Sequence, residues 1–289
     1  MGRRPGSDRF GHPPKFLGIL LFFGVVAYPF LASAHPDLLD QIRVVTGQIL
    51  QKPTNAELYL KRGELYRHHR DWTAASKDYE EAAKLDPTLS RVELARARMW
   101  LDAGQPKSAE LFLNDFLAKH PVHAKALVLH GQALMQLGQS CAAADDFTHA
   151  IDFLPTPIPD LYLQQARALA SCGEKYIDQA IKGLDGGVKN LGPLVTLQTL
   201  AIDLELSRHH YDAALTRLRQ IERQAKRKER WLLRRGEILD QAGRSDESQG
   251  AFRQALAAIQ SLPERHRMTK GTRDLETKLH ALLKDTDKE

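Results

Sequence analysis

Four prolines, Pro53, Pro87, Pro121 and Pro155, stand at a constant step of 34 residues. With proline at about 5% of positions, three further hits on a fixed grid arise by chance about once in ten thousand. Other positions keep the same step: Gly63 recurs as Ala97 and Gly131, Ala75 as Ala109 and Ala143, Tyr79 as Leu113 and Phe147, and Ala82 as Phe116 and Ala150. A repeat of this length is one supersecondary unit used many times, because a single copy cannot cover its own apolar face and stacked copies can. The residue types suit close packing of two antiparallel helices. Gly63 and Ala75 let the helix backbones approach, Tyr66 and Tyr79 fill the neighbouring space, and Pro87 stops the second helix because it cannot continue the hydrogen-bond ladder.

The clearest copy, "YLKRGELYRHHRDWTAASKDYEEAAKLDP" from Tyr59 to Pro87, reads Gly-x-x-Tyr, then Ala-x-x-x-Tyr, then proline. It resembles the tetratricopeptide repeat, and departs from that pattern at Arg62, where the family carries leucine. The resemblance implies an all-α, right-handed superhelical solenoid of antiparallel helix pairs. Later copies are looser: Tyr162, Ala166 and Leu169 open a fourth unit, Tyr211, Ala214 and Leu218 anchor a fifth, and Trp231, Gly236, Phe252 and Ala255 mark a sixth. Gly183, Gly186 and Gly187 predict a weak second helix in the fourth unit. About six repeats are thus expected over residues 54–262, with a capping helix over 35–53 and a second capping helix with a polar tail over 263–289.

Residues 1–34 read differently. Arg3, Arg4, Arg9 and Lys15 precede the apolar run "FLGILLFFGVVAYPFLASA", which closes on Ala32-Ser-Ala34. A basic start, an apolar stretch and a small-x-small end describe a secretory signal peptide, so the chain is expected to be exported, periplasmic or secreted. Retention of residues 16–34 as a membrane anchor is the alternative, since 19 apolar residues approach the length needed to span a bilayer. Four cations and Asp8 lie in this segment, so it carries +3 of the formal +5 and leaves +2 on the remainder. A balance that small over 255 residues creates no general field for nucleic acid.

Several stretches look reactive. In "ELYRHHRDW", His68 to Trp72 fall where the first helix should turn into the second, and Arg208-His-His-Tyr-Asp212 repeats the pattern in the fifth unit, so a polar turn is the expectation. Adjacent histidines on a helix diverge instead of converging on a metal. His120-Pro-Val-His123 has no metal-binding context, and His35, the residue exposed by cleavage, lacks an identified second ligand for copper. Cys141 and Cys172 fall at the turns of neighbouring units, close enough to bridge if their Cα atoms come within about 7 Å. Between Arg217 and Arg235 nine basic residues face two glutamates, which is either a solvated helix end or a surface for anionic lipid or an acidic partner. No phosphate loop, nucleophile elbow or Cys-x-x-Cys pair occurs, and nothing calls for a cofactor or a catalytic residue.

The resemblance implies that first helices line a groove for another protein or peptide. Mapping the family's groove places gives Glu57, Leu60, Glu64, Arg67 and His68 in the first unit, then Arg91, Leu94, Arg98 and Leu101 in the second. Lys125, Val128, Gln132 and Met135 follow in the third, and Leu163 and Arg167 in the fourth. The expected surface has an apolar floor of Leu60, Leu94, Val128 and Leu163 beside a line of Arg67, Arg98, Lys125 and Arg167. Family members that clamp terminal carboxylates use Lys and Asn where Leu60 and Glu64 stand, so that activity does not carry over. The reading is an exported scaffold or adaptor that binds and does not catalyse, with a membrane-anchored or membrane-surface assembly factor as the alternative and a metal-dependent enzyme ranked below both.

Overall fold

The computed structural model describes residues 36–285. Each grid proline lies two residues past the end of a helix, in a turn that leads to the next unit. The helix ends that precede them belong to α1 (Pro36–Gln51), α3 (Trp72–Leu85), α5 (Pro106–Lys119) and α7 (Ser140–Phe153). The partner helices α2 (Ala56–His68), α4 (Ser90–Asp102), α6 (Ala124–Gln136) and α8 (Pro159–Cys172) begin after those turns. Local chemistry sets several starts. Asn55 Oδ1 accepts the Glu57 N–H at 3.1 Å, Asp71 Oδ1 accepts the Ala74 N–H at 3.0 Å, and His123 Nδ1 accepts the Ala126 N–H at 3.2 Å.

The "ELYRHHRDW" stretch falls at the turn between the paired helices of its unit. In five of the six units one residue there takes a left-handed backbone: Gly104 (φ 70°), Gly138 (φ 76°) and Gly243 (φ 71°), with Arg70 (φ 63°) and His209 (φ 58°) at the equivalent places, while the fourth turns at Gly173 (φ 131°). His68 ends α2, His69 and His209 lie in the turns, His210 directly precedes the next helix, and Asp71 caps the helix that follows the first turn. His120 and His123 pack around Phe116, with ring centroids 4.7 and 5.2 Å away. Among the described residues no cluster of three or more His, Cys, Asp or Glu could hold a metal ion. His35 lies outside the described residues, as does the leader of residues 1–34.

Units five and six follow as α10 (Val195–Ser207) with α11 (Tyr211–Gln224) and α12 (Glu229–Gln241) with α13 (Ser245–Gln260). A short α14 (Glu264–Arg267) and α15 (Lys270–Asp285) close the stack. Leu279 is fully buried there, with Leu275 and Leu282 packed beside it against Leu232, Phe252 and Ile259. Each helix packs mainly on its chain neighbours, and first helices also meet across units, α2 on α4 and α4 on α6. That nearest-neighbour pattern is a solenoid, and no strand occurs among the described residues.

The small residues do what the repeat demands. A Cβ on Gly63 would lie 2.6 Å from the Tyr79 ring, on Gly131 2.8 Å from Phe147, and on Gly236 2.2 Å from Phe252. The same contact recurs in three units. The expected weakness of the fourth unit's second helix is absent: α9 (Ile177–Leu191) is continuous. Gly187 there faces Tyr162 and Leu197, and Gly183 faces Gln165, so close packing offsets the poor helix propensity.

Candidate functional site

The first helices α2, α4, α6 and α8 build one face of the stack, and two adjoining depressions run along it. One, of about 230 Å³, is lined by Leu60, Glu64, Arg91, Leu94, Arg98 and Lys125. The next, of about 370 Å³, has Arg98, Leu101, Asp102, Gln132, Met135 and Arg167 among its walls. Arg98 belongs to both, so residues mapped from three and four units share a continuous surface. Leu94, Val128 and Leu163 are partly buried with their outer faces open, whereas Leu60 is 8% exposed and lies beneath the surface.

The cations of this face fall into two groups. Arg67 is buried; its Nη2 donates to Glu64 Oε2 at 2.8 Å and its Nη1 pairs with Asp102. Tyr79 Oη donates to the other Glu64 oxygen at 2.9 Å, and burial drives the phenol far above its ordinary pKa, so it stays a neutral donor. Arg67 therefore leaves the expected basic line, because a charge this deep must be paired. His68 is exposed, its Nε2 3.1 Å from Arg67 Nη2, and Arg91 pairs with Glu57. Arg98, Lys125 and Arg167 are exposed and have no carboxylate partner among the described residues. Between them, Gln132 Nε2 donates to Gln164 Oε1 at 2.9 Å, a cross-unit bond that the family positions did not indicate.

The C-terminal half continues the surface as a larger cleft of about 730 Å³, with Ile202, Asp203, Trp231, Arg234, Glu237 and Leu275 among its walls. Its charges are balanced. Arg234 reaches Asp203 at 2.8 Å and Glu237 at 3.7 Å, and Lys278 reaches Glu237 at 2.7 Å. Of the places that the groove register gives in units five and six, Thr199, Asp203, Arg230, Leu233 and Glu237 line this cleft.

Much of the basic run between Arg217 and Arg235 is internal mortar. Arg217 joins Asp185 at 2.6 Å and Glu205 at 3.4 Å, and Arg235 joins Glu222 at 3.1 Å. Cys141, in the first turn of α7, and Cys172, the last residue of α8, form a disulfide with Cα atoms 5.0 Å apart.

Tetratricopeptide-repeat family models match residues 56–89, the first unit, and residues 199–263, most of the fifth and sixth. The chain is a tetratricopeptide-repeat protein. No curated protein sequence matches it. Solved structures of similar fold include the C-terminal part of a TPR repeat-containing protein from Cytophaga hutchinsonii, with TM-score 0.61 at 14% identity over 83% of this chain and 94% of that one. A tetratricopeptide repeat protein from Parabacteroides merdae gives 0.51 at 17% identity, over 86% of this chain and 91% of that one. Pseudomonas aeruginosa PilF gives 0.51 at 16% identity, over 72% of this chain and 93% of that one. At such identities these tetratricopeptide-repeat neighbours establish the solenoid and nothing finer. No helix among the described residues is long and apolar enough to cross a membrane.

Proposed function

We propose that this protein is a scaffold whose first-helix face holds an extended or helical segment of another protein, with acidic side chains and apolar anchors. One observation carries the reading: Arg98, Lys125 and Arg167 stand without carboxylate partners beside Leu94, Val128 and Leu163. Several arginines elsewhere in the chain find acids one unit away, as Arg91 does with Glu57, Arg217 with Asp185 and Arg244 with Asp212. Three open cations on the face that carries the depressions are therefore a feature to explain, and a complementary chain supplies both charge and apolar burial. The mode of action is binding, with no catalytic step assigned to any residue.

Partner recovery on immobilised protein should fall by at least about tenfold when Arg98 and Arg167 are both replaced by glutamate, since like charges across an interface repel. Wild-type recovery should also weaken with salt, because exposed charges are screened. Recovery by the double variant equal to wild type would remove this face from the mechanism.

We read residues 1–34 as an export signal, which places the partner in the periplasm or outside the cell. Intact mass of the protein from cells is expected to begin at His35. A mass that includes the leader would instead favour anchoring through residues 16–34.

A further inference from the structure

The part of the basic run that pairs with nothing gathers at one place. Arg223, Lys226, Lys228 and Arg230, at the turn from α11 to α12, are exposed and make no ion pair among the described residues. A second group, Arg265, Arg267, Lys270 and Arg273, occupies the next inter-unit turn and the start of α15, and these also lack carboxylate partners there. The two groups are remote in sequence but joined in the fold. Arg227 bridges them, its Nε donating to Glu229 Oε1 at 2.6 Å and its Nη2 to Thr272 Oγ1 at 3.2 Å. The Arg230 guanidinium lies 3.5 Å from where a Cβ on Gly271 would stand. Only Glu264, Asp274 and the buried Glu229 oppose this charge within the two segments.

Met268 sits between Arg267 and Lys270 in the chain and is 51% exposed. The antiparallel pairs put every inter-unit turn on the same edge of the stack. That edge also presents Val122, Ile158 and Val195, which are 66%, 61% and 42% exposed.

We propose that this edge, centred on the last two inter-unit turns, docks on an anionic lipid bilayer. The cations would meet headgroup phosphates while Met268 enters the interfacial layer. Unneutralised like charges this close repel one another, and an anionic surface removes that cost. Nucleic acid fits less well, because the patch offers no exposed aromatic platform: Trp231, the nearest aromatic, is partly buried in the neighbouring cleft. A soluble acidic protein would use the same cations, and it is distinguished by vesicle binding that does not depend on Met268.

The test is sedimentation of the full chain with vesicles of phosphatidylcholine alone and of phosphatidylcholine with phosphatidylglycerol. The leader carries +3 and itself favours anionic headgroups, so the contribution of the patch is read as the difference between wild type and a variant that keeps the same leader. Binding to the anionic vesicles should be at least about tenfold tighter at 0.1 M salt and should weaken as salt rises. Replacing Lys226, Lys228, Arg267 and Lys270 together by glutamate should weaken binding to the anionic vesicles by at least about tenfold relative to wild type. Met268→Ser should weaken anionic-vesicle binding several-fold without disturbing the charge. The groove variant carrying Arg98→Glu and Arg167→Glu should bind vesicles like wild type, so failure of the groove and failure of this patch are separable. Equal binding to both vesicle types, or an unchanged preference in the four-site variant, overturns the proposal. So does a Met268→Ser chain that binds as wild type, which would point to a soluble polyanion as the ligand.

Discussion

Phe147→Ala is expected to destabilise the protein by about 3–5 kcal/mol, the cost of deleting a fully buried aromatic ring and leaving a cavity. Phe147 is 1% exposed and its ring fills the space that Gly131 leaves open, the place where α6 and α7 cross. It also belongs to the apolar cluster that runs from α6 through α10, so its loss weakens the contacts of the third unit with the fourth. In a stack held by nearest-neighbour contacts, a weak central unit should separate the melting of the two ends. Urea titration followed by helical circular dichroism should show a lower midpoint and a broadened or split transition. Phe153→Ala is the control, because that ring is 44% exposed at a helix end. A Phe147→Ala chain within about 1 kcal/mol of wild type would contradict the close-packed crossing.

Reducing the Cys141–Cys172 bond should lower stability by about 2–4 kcal/mol. The bond closes a loop between residues 31 apart in sequence and ties the start of α7 to the end of α8. Much of its effect is on the unfolded chain, whose freedom it limits. The oxidised protein should therefore unfold at a higher urea concentration than the same protein in dithiothreitol. A chain with both cysteines replaced by serine should match the reduced form and show no response to reductant. Coincident curves for oxidised and reduced wild type would mean that no bond forms in solution. Such a bond persists in oxidising compartments, which agrees with the proposed export.

The repeat was legible because its signals are local and periodic. Each of Pro53, Pro87, Pro121 and Pro155 follows a helix end by two residues, and the Gly63 to Tyr79 contact recurs as Gly131 to Phe147 and Gly236 to Phe252. What escaped the sequence depends on contacts that propensity and register do not encode. Gly183 and Gly187 weaken an isolated helix, yet in α9 they admit Gln165, Tyr162 and Leu197 from neighbouring helices. Arg67 holds a groove position by register, but its pairing with Asp102 on the next unit withdraws it from the surface. The basic run shows the same limit: counting charges from Arg217 to Arg235 does not reveal that Arg217, Arg234 and Arg235 are neutralised across helices while Lys226 and Lys228 are not.

The first-helix face as the gripping surface is tested most directly by site-specific photo-crosslinking in the living cell. A photoreactive residue at Val128, on that face, is compared with one at Leu111, which is 63% exposed on the second helix α5. Attachment of one discrete partner at Val128, through a segment bearing acidic and apolar side chains, and none at Leu111, is the outcome the proposed groove requires. Attachment of the same partner at Leu111 with none at Val128 would contradict it.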